Sequence, residues 1–296
     1  MNIRKIISAV LLALLFGQPA QAGDYQFKQP DIFVLGDSQV LFGAGEPLLG
    51  FFEKIADHCA GHWGKDNEAQ ELKGTSVGVL GVRSTSLNSW VNEDDEFKKR
   101  ICTIDPNWHI NASQFGTVKT TQERFLQIGQ EDPFKFCIPD KSAFEVMFEN
   151  GYYDPKLFVA YFLGNSAKRW AENEAETEKD AIAAAATIPV GMPCVLITTA
   201  PSYRANMNVV RLKGQQKFKH AYEKAEGACS FVEGLTPTTI KANVRNHLHF
   251  KHNEEEWVRD PFHPNARGIE HFLKLKTADI CNAISVQINK KTLAKK

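Results

Sequence analysis

The chain has 296 residues, with 35 Lys and Arg set against 35 Asp and Glu. That balance excludes the broad electrostatic footprint by which a protein holds nucleic acid or an anionic membrane. A hydrophobic fraction of 43% suffices for a proper core, and the length allows one large domain or two small ones.

The first residues set the expected compartment. Arg4 and Lys5 precede an apolar run from Ile6 to Phe16, followed by Gly17-Gln18-Pro19 and the small-residue site Ala20-Gln21-Ala22. This pattern predicts a secretory signal peptide over residues 1–22, cleaved before Gly23. The run is too short to span a bilayer, so the mature protein is expected to be exported, periplasmic or secreted, without a stable membrane anchor. Cys59, Cys102, Cys137, Cys194, Cys229 and Cys281 then enter an oxidising compartment and are expected to form three disulfides. Cys102–Cys137 and Cys194–Cys229 are the pairings expected among them. No Cys-x-x-Cys occurs to support a zinc ribbon or a thioredoxin-like motif.

In chain order, Asp31 to Leu35 reads as a buried strand broken by Gly36-Asp37-Ser38. Gly43, Gly45 and Pro47 predict an irregular stretch before a helix over Leu48 to Ala56. A second buried strand, Ser76 to Leu80, ends in Gly81-Val82-Arg83-Ser84. Gly74-Thr75-Ser76-Val77-Gly78 matches a G-x-S-x-G elbow, but Ser76 precedes its strand, at the wrong edge of a sheet. Residues 101–155 form an aromatic-rich insertion holding Trp108, Phe115, Phe134, Phe136 and the formal sequon Asn111-Ala112-Ser113. Leu157 to Leu163 is a third strand ending at Gly164-Asn165-Ser166. A helix from about 167 to 186 follows, with Ser166 as its expected cap. Cys194 to Thr199 is the fourth strand, a helix over about Gln215 to Glu226 closes on Gly227, and Ser230 to Val232 is the fifth strand. A last helix follows Pro264-Asn265, with Ile269, Phe272, Leu273, Ile280 and Ile284 at helical spacing. This alternation predicts one α/β domain over 23–296, a three-layer α/β/α sandwich on a parallel sheet of about five strands, flavodoxin-like in kind.

In such sheets ligands bind at the carboxyl ends of the strands. Ser38, Gly81, Asn165 and the pair Asp260/His263 all fall there. Ser38 is a weak nucleophile until a base takes its proton. His263 is the natural base, and Asp260, three residues earlier on a tight turn, is placed to fix its tautomer. The nearby His247, His249 and His252 read as a solvated polar segment, because no acid or cysteine stands at metal-ligand spacing. Among the tryptophans, Trp90 and Trp108 are the expected substrate-binding side chains.

Four blocks in the right order resemble the SGNH (GDSL-type) hydrolases: Gly36-Asp37-Ser38, Gly78 to Ser84, Leu163-Gly164-Asn165, and Asp260-x-x-His263 followed by Pro264-Asn265 and Gly268. The resemblance implies an SGNH hydrolase-like fold and a Ser38-His263-Asp260 triad. It also implies an oxyanion hole built from the Ser38 N–H, the Gly81 N–H and the Asn165 amide, with no metal and no organic cofactor. The implied activity is a serine ester hydrolase on a small-molecule or carbohydrate ester, most plainly a carbohydrate O-deacetylase or short-chain esterase. An O-acyltransferase on a polysaccharide, and a binding or assembly protein without turnover, are the alternatives that the same residues allow.

Overall fold

The computed structural model describes residues 30–63, 68–98, 101, 138–149, 154–255 and 257–295. Its strands are β1 (Ile32–Gly36), β2 (Val77–Gly81), β3 (Leu157–Tyr161), β4 (Cys194–Ile197), β5 (Ser230–Val232), β6 (Phe250–His252) and β7 (Val258–Pro264). Its α-helices are α1 (Gly45–Glu53), α2 (Ile55–Cys59), α3 (Leu87–Val91), α4 (Asp95–Lys98), α5 (Ala143–Glu149), α6 (Ala167–Glu172), α7 (Glu174–Thr187), α8 (Ala205–Lys224), α9 (Pro237–Asn243) and α10 (Ala266–Lys295). A π-helical turn, Val40–Ala44, joins β1 to α1.

The first five strands form one parallel sheet in the order β2-β1-β3-β4-β5. Because helices cover both faces, β1 to β4 carry continuous apolar runs rather than polar alternation. Side chains still alternate between two cores. Phe33, Leu35, Phe158, Ala160 and Leu196 point toward α3, α5, α6, α7 and α8. Ile32, Val34, Leu157, Val159, Tyr161, Val195 and Ile197 point toward α1, α2 and α10. The result is a three-layer α/β/α sandwich of the doubly wound, flavodoxin-like order. β6 and β7 form a separate antiparallel pair.

Two helices depart from their sequence expectation, each for a local reason. The helix expected over 167–186 breaks at Asn173, which is extended and accepts the Glu176 N–H at 3.2 Å, so Asn173 caps α7. Ser166 caps nothing: it is itself αR, and its buried hydroxyl has no partner. The break is held by Asp180 of α7, which reaches back to Trp170 Nε1 at 2.9 Å and Arg169 Nε at 3.1 Å. Helix α8 begins at Ala205, not near Gln215, because its first turns bury Asn208 and Arg211 rather than an apolar stripe. It ends with Glu226 in the left-handed region, φ 54°, not at Gly227. The stretch containing Gly43, Gly45 and Pro47 is helical rather than irregular.

The far end of the insertion is core. α5 buries Phe144, Met147 and Phe148 against Phe158 of β3. Trp108, Phe115, Phe134, Phe136, the Asn111 sequon, the expected Cys102–Cys137 pairing and the expected signal peptide lie outside the described residues.

Cys194–Cys229 links the start of β4 to the approach to β5, as expected, and Cys59–Cys281 ties α2 to α10. Among the described residues no cysteine is free. No described helix is long and apolar enough to cross a membrane. Both features are compatible with export.

Candidate active site

β1 is buried to its last residue, and Gly36-Asp37-Ser38 turns it into a helical segment that begins at Ser38. The first N–H groups of such a segment lack intrahelical acceptors, so Ser38 brings a donor to the carboxyl edge of the sheet. Its side chain meets a segment from the other end of the chain: Ser38 Oγ lies 2.9 Å from His263 Nε2. His263 Nδ1 lies 2.7 Å from Asp260 Oδ2. The other carboxylate oxygen of Asp260 accepts the Phe262 N–H at 2.9 Å and the His263 N–H at 3.2 Å. Serine, imidazole and carboxylate therefore stand in a hydrogen-bonded line with the acid fixed by its own backbone. Ser38 is 8% exposed, while the His263 and Asp260 side chains are 21% and 31% exposed.

The sequence placed Asp260 and His263 on a tight turn, whereas the structure places both in strand β7. In a regular strand, residues three apart face opposite sides. Here the β6–β7 register shifts between Phe250 and Lys251 and again between Lys251 and His252. That irregularity, with the Asp260 carboxylate folded onto the next two amides, lets side chains three apart meet.

Close backbone packing brings the two halves together. A Cβ on Gly43 would lie 2.1 Å from the Pro264 carbonyl oxygen, so only glycine lets the turn after Ser38 rest on the residue after His263. A Cβ on Gly81 would lie 2.7 Å from the Leu41 N. The end of β2 is thereby held against the same turn. Asn165, in the loop after β3, is exposed and donates to the Thr85 carbonyl at 2.7 Å. One amide N–H remains beyond that bond.

Beneath Ser38 lies a polar layer that sequence reading missed. Asp37 is fully buried; its carboxylate accepts the Gln39 N–H at 2.8 Å and also the Leu163 N–H. It thus fastens the Ser38 turn to the loop that carries Asn165. Burial pushes its pKa up to about 6, against the opposing pull of the Gln39 N–H and the Arg211 charge. Arg211 of α8 is 5% exposed, and burial lowers its pKa. Its Nη1 reaches the Ala200 carbonyl at 3.4 Å, while its buried Nε has no partner. Gln39 Nε2 bridges the carbonyls of Ala200 and Phe262, each at 3.4 Å. Asp37 and Gln39 flank the serine and were legible as neighbours; Arg211, distant in sequence on a polar helix face, gave no signal.

Other expected residues fall elsewhere. Trp90 is 0% exposed and packs on Phe144 in the core. Its substrate-binding assignment is corrected, because a ring sealed in the core offers no face to a ligand. Ser76 lies at the opposite end of the sheet, donating to Asp31 Oδ2 at 2.8 Å. His249 is buried against the Asn243 Oδ1 at 2.8 Å, and His252 Nδ1 meets the Phe250 carbonyl at 3.0 Å. Among the described residues, no group of three or more His, Cys, Asp or Glu side chains is arranged to hold a metal ion. Among the described tryptophans, Trp257 is the exposed one, at 72%.

No protein-family model, curated protein or solved structure matches the chain.

Proposed function

We propose that the protein is a serine ester hydrolase resembling the SGNH (GDSL-type) family, exported through a cleaved signal peptide and acting on a short acyl ester of a carbohydrate. The observation that carries this reading is the continuous Ser38–His263–Asp260 hydrogen-bond line at the carboxyl edge of a parallel sheet. Ser38 Oγ attacks the ester carbonyl carbon while its proton passes to His263 Nε2. Asp260 holds the imidazole in the receiving tautomer and stabilises the imidazolium that forms. The negative charge on the tetrahedral oxygen is met by the Ser38 N–H, the Gly81 N–H and the second amide N–H of Asn165. Collapse breaks the bond to the alcohol, which leaves with the proton from His263. Water then attacks the acyl-serine, its proton returns through His263 to Ser38, and the acid is released.

The purified mature protein should hydrolyse a small aryl acetate, and Ser38→Ala should abolish turnover without lowering the melting temperature. Turnover that survives Ser38→Ala, or its absence in the wild type, rejects the esterase reading.

A further inference from the structure

The wet aromatic side chains of this edge gather around the triad. Phe42 and Phe262 are 51% and 42% exposed, and their rings lie 5.1 and 6.5 Å from the His263 ring. Each lies near a guanidinium: Arg83 is 6.0 Å from the Phe42 centroid and Arg204 is 5.8 Å from that of Phe262. Beside Phe262 a cleft of about 400 Å³ opens between Tyr203, Arg204, Glu255, Trp257, Val258 and Pro261. That volume falls within the range of small-ligand sites, roughly 300–1,000 Å³. Its wall is continuous with the catalytic strand, since the Tyr203 N–H donates to the Pro261 carbonyl at 3.0 Å, two residues before His263.

Two features of this cleft select a ligand chemistry. Trp257 and Tyr203 supply amphipathic ring surface, which suits the apolar CH face of a sugar. The exposed Arg204 guanidinium pairs with no carboxylate among the described residues, Glu255 of the same cleft included. A guanidinium in that state is a fork for a carboxylate or sulfate group. An aliphatic ester would use neither the charge nor the flat rings.

We propose that this cleft binds an anionic sugar of the ester-bearing glycan, its ring against Trp257 and Tyr203 and its acidic group on Arg204. The proposal deepens the esterase reading and rests on it for the position of the ester beside Ser38. The test uses Ser38→Ala protein, which binds without turnover. It is titrated with an oligogalacturonate, a sulfated oligosaccharide and a neutral xylo-oligosaccharide, followed by tryptophan fluorescence and calorimetry. One anionic ligand should bind at least ten-fold more tightly than the neutral one, and which of the two does so distinguishes carboxylate from sulfate recognition. Adding Arg204→Gln should erase the preference, whereas adding Trp257→Ala should weaken acidic and neutral ligands together. Raising the salt to 500 mM should shrink the preference, because the pair is exposed. Equal affinity for all three ligands, no binding at all, or a preference that survives Arg204→Gln overturns the proposal. Wild-type turnover of a small aryl acetate reports on the triad separately. Turnover without anionic preference removes the cleft alone, and selective binding without turnover removes the esterase reading alone.

Discussion

Ser38 has two kinds of neighbour, those that would move its proton in the proposed reaction and those that fix its backbone. For the first kind, Asp260→Asn keeps the shape but loses the negative charge beside His263 Nδ1. We expect kcat on a small ester to fall by about 10³–10⁴, as loss of the triad acid does elsewhere. A fall of less than ten-fold would show that Asp260 is only a turn residue. For the second kind, the Coulomb attraction between the buried Asp37 and Arg211, which share no direct hydrogen bond, makes a sharper prediction. Arg211→Met leaves the Asp37 charge without its opposite in a dry site and should destabilise by about 3–5 kcal/mol, whereas Asp37→Asn with Arg211→Met should recover much of that loss. The pH dependence follows from the raised pKa of Asp37, about 6 against an ordinary 3.8. Between those values the folded state holds the proton more tightly than the unfolded chain. The stability contributed by this group is therefore fullest below pH 3.8 and declines as pH rises toward 6, by an amount of the order of 3 kcal/mol. Relative to the double variant, the wild type should be more stable at pH 4 than at pH 7 in denaturant titrations. A constant difference would mean that Asp37 stays ionised throughout.

At the scale of elements, the site depends on how closely the turn after β1 packs against the end of β7. Gly43→Ala inserts a methyl group where the Pro264 carbonyl already stands, 2.1 Å from the ideal Cβ position. Backbone must move, and the movement separates Ser38 from His263. We expect a loss of 1–3 kcal/mol in stability and a disproportionate loss of kcat on aryl acetate, with KM changing less. Unchanged turnover in a folded variant would show that the triad tolerates the shift. These contacts also explain what was legible beforehand. Strands β1 to β4 announced themselves because each is buried throughout and so reads as an apolar run, while the short, part-buried β5 was marked by its place after the helix. Ser38, Asp260 and His263 stood out because their chemistry is rare in combination. The start of α8 was hidden because its inward face is Asn208, Arg211 and Gln215, which carry no apolar period. The irregular register of β6–β7 was hidden because it is a property of two strands pairing, and neither strand alone encodes it. Trp90 misled because proximity in sequence to the site says nothing about which core its ring enters.

At the scale of the whole molecule, the two disulfides among the described residues do different work. Cys194–Cys229 joins positions 35 residues apart at the amino ends of two strands already paired in the sheet. Cys59–Cys281 joins positions 222 apart and fixes α10 against α2, beside a bond from Trp63 Nε1 to the Cys281 carbonyl at 2.9 Å. In the chain-entropy account, closing the longer loop removes more freedom from the unfolded state, about 5 kcal/mol against about 4. The same bridge also anchors α10, whose first residues follow β7 and its proposed triad residues, so its loss should act on both stability and site. We therefore expect Cys59→Ala with Cys281→Ala to lower the melting temperature more than Cys194→Ala with Cys229→Ala, and to accelerate proteolysis within α10. Both pairs exchange buried sulfurs for similar small cavities, so the comparison isolates the loop term. Equal losses, or a larger loss from the Cys194–Cys229 pair, would mean that the unfolded chain already holds α2 and α10 near each other. The sheet-edge bridge would then be the one that resists opening of the fold.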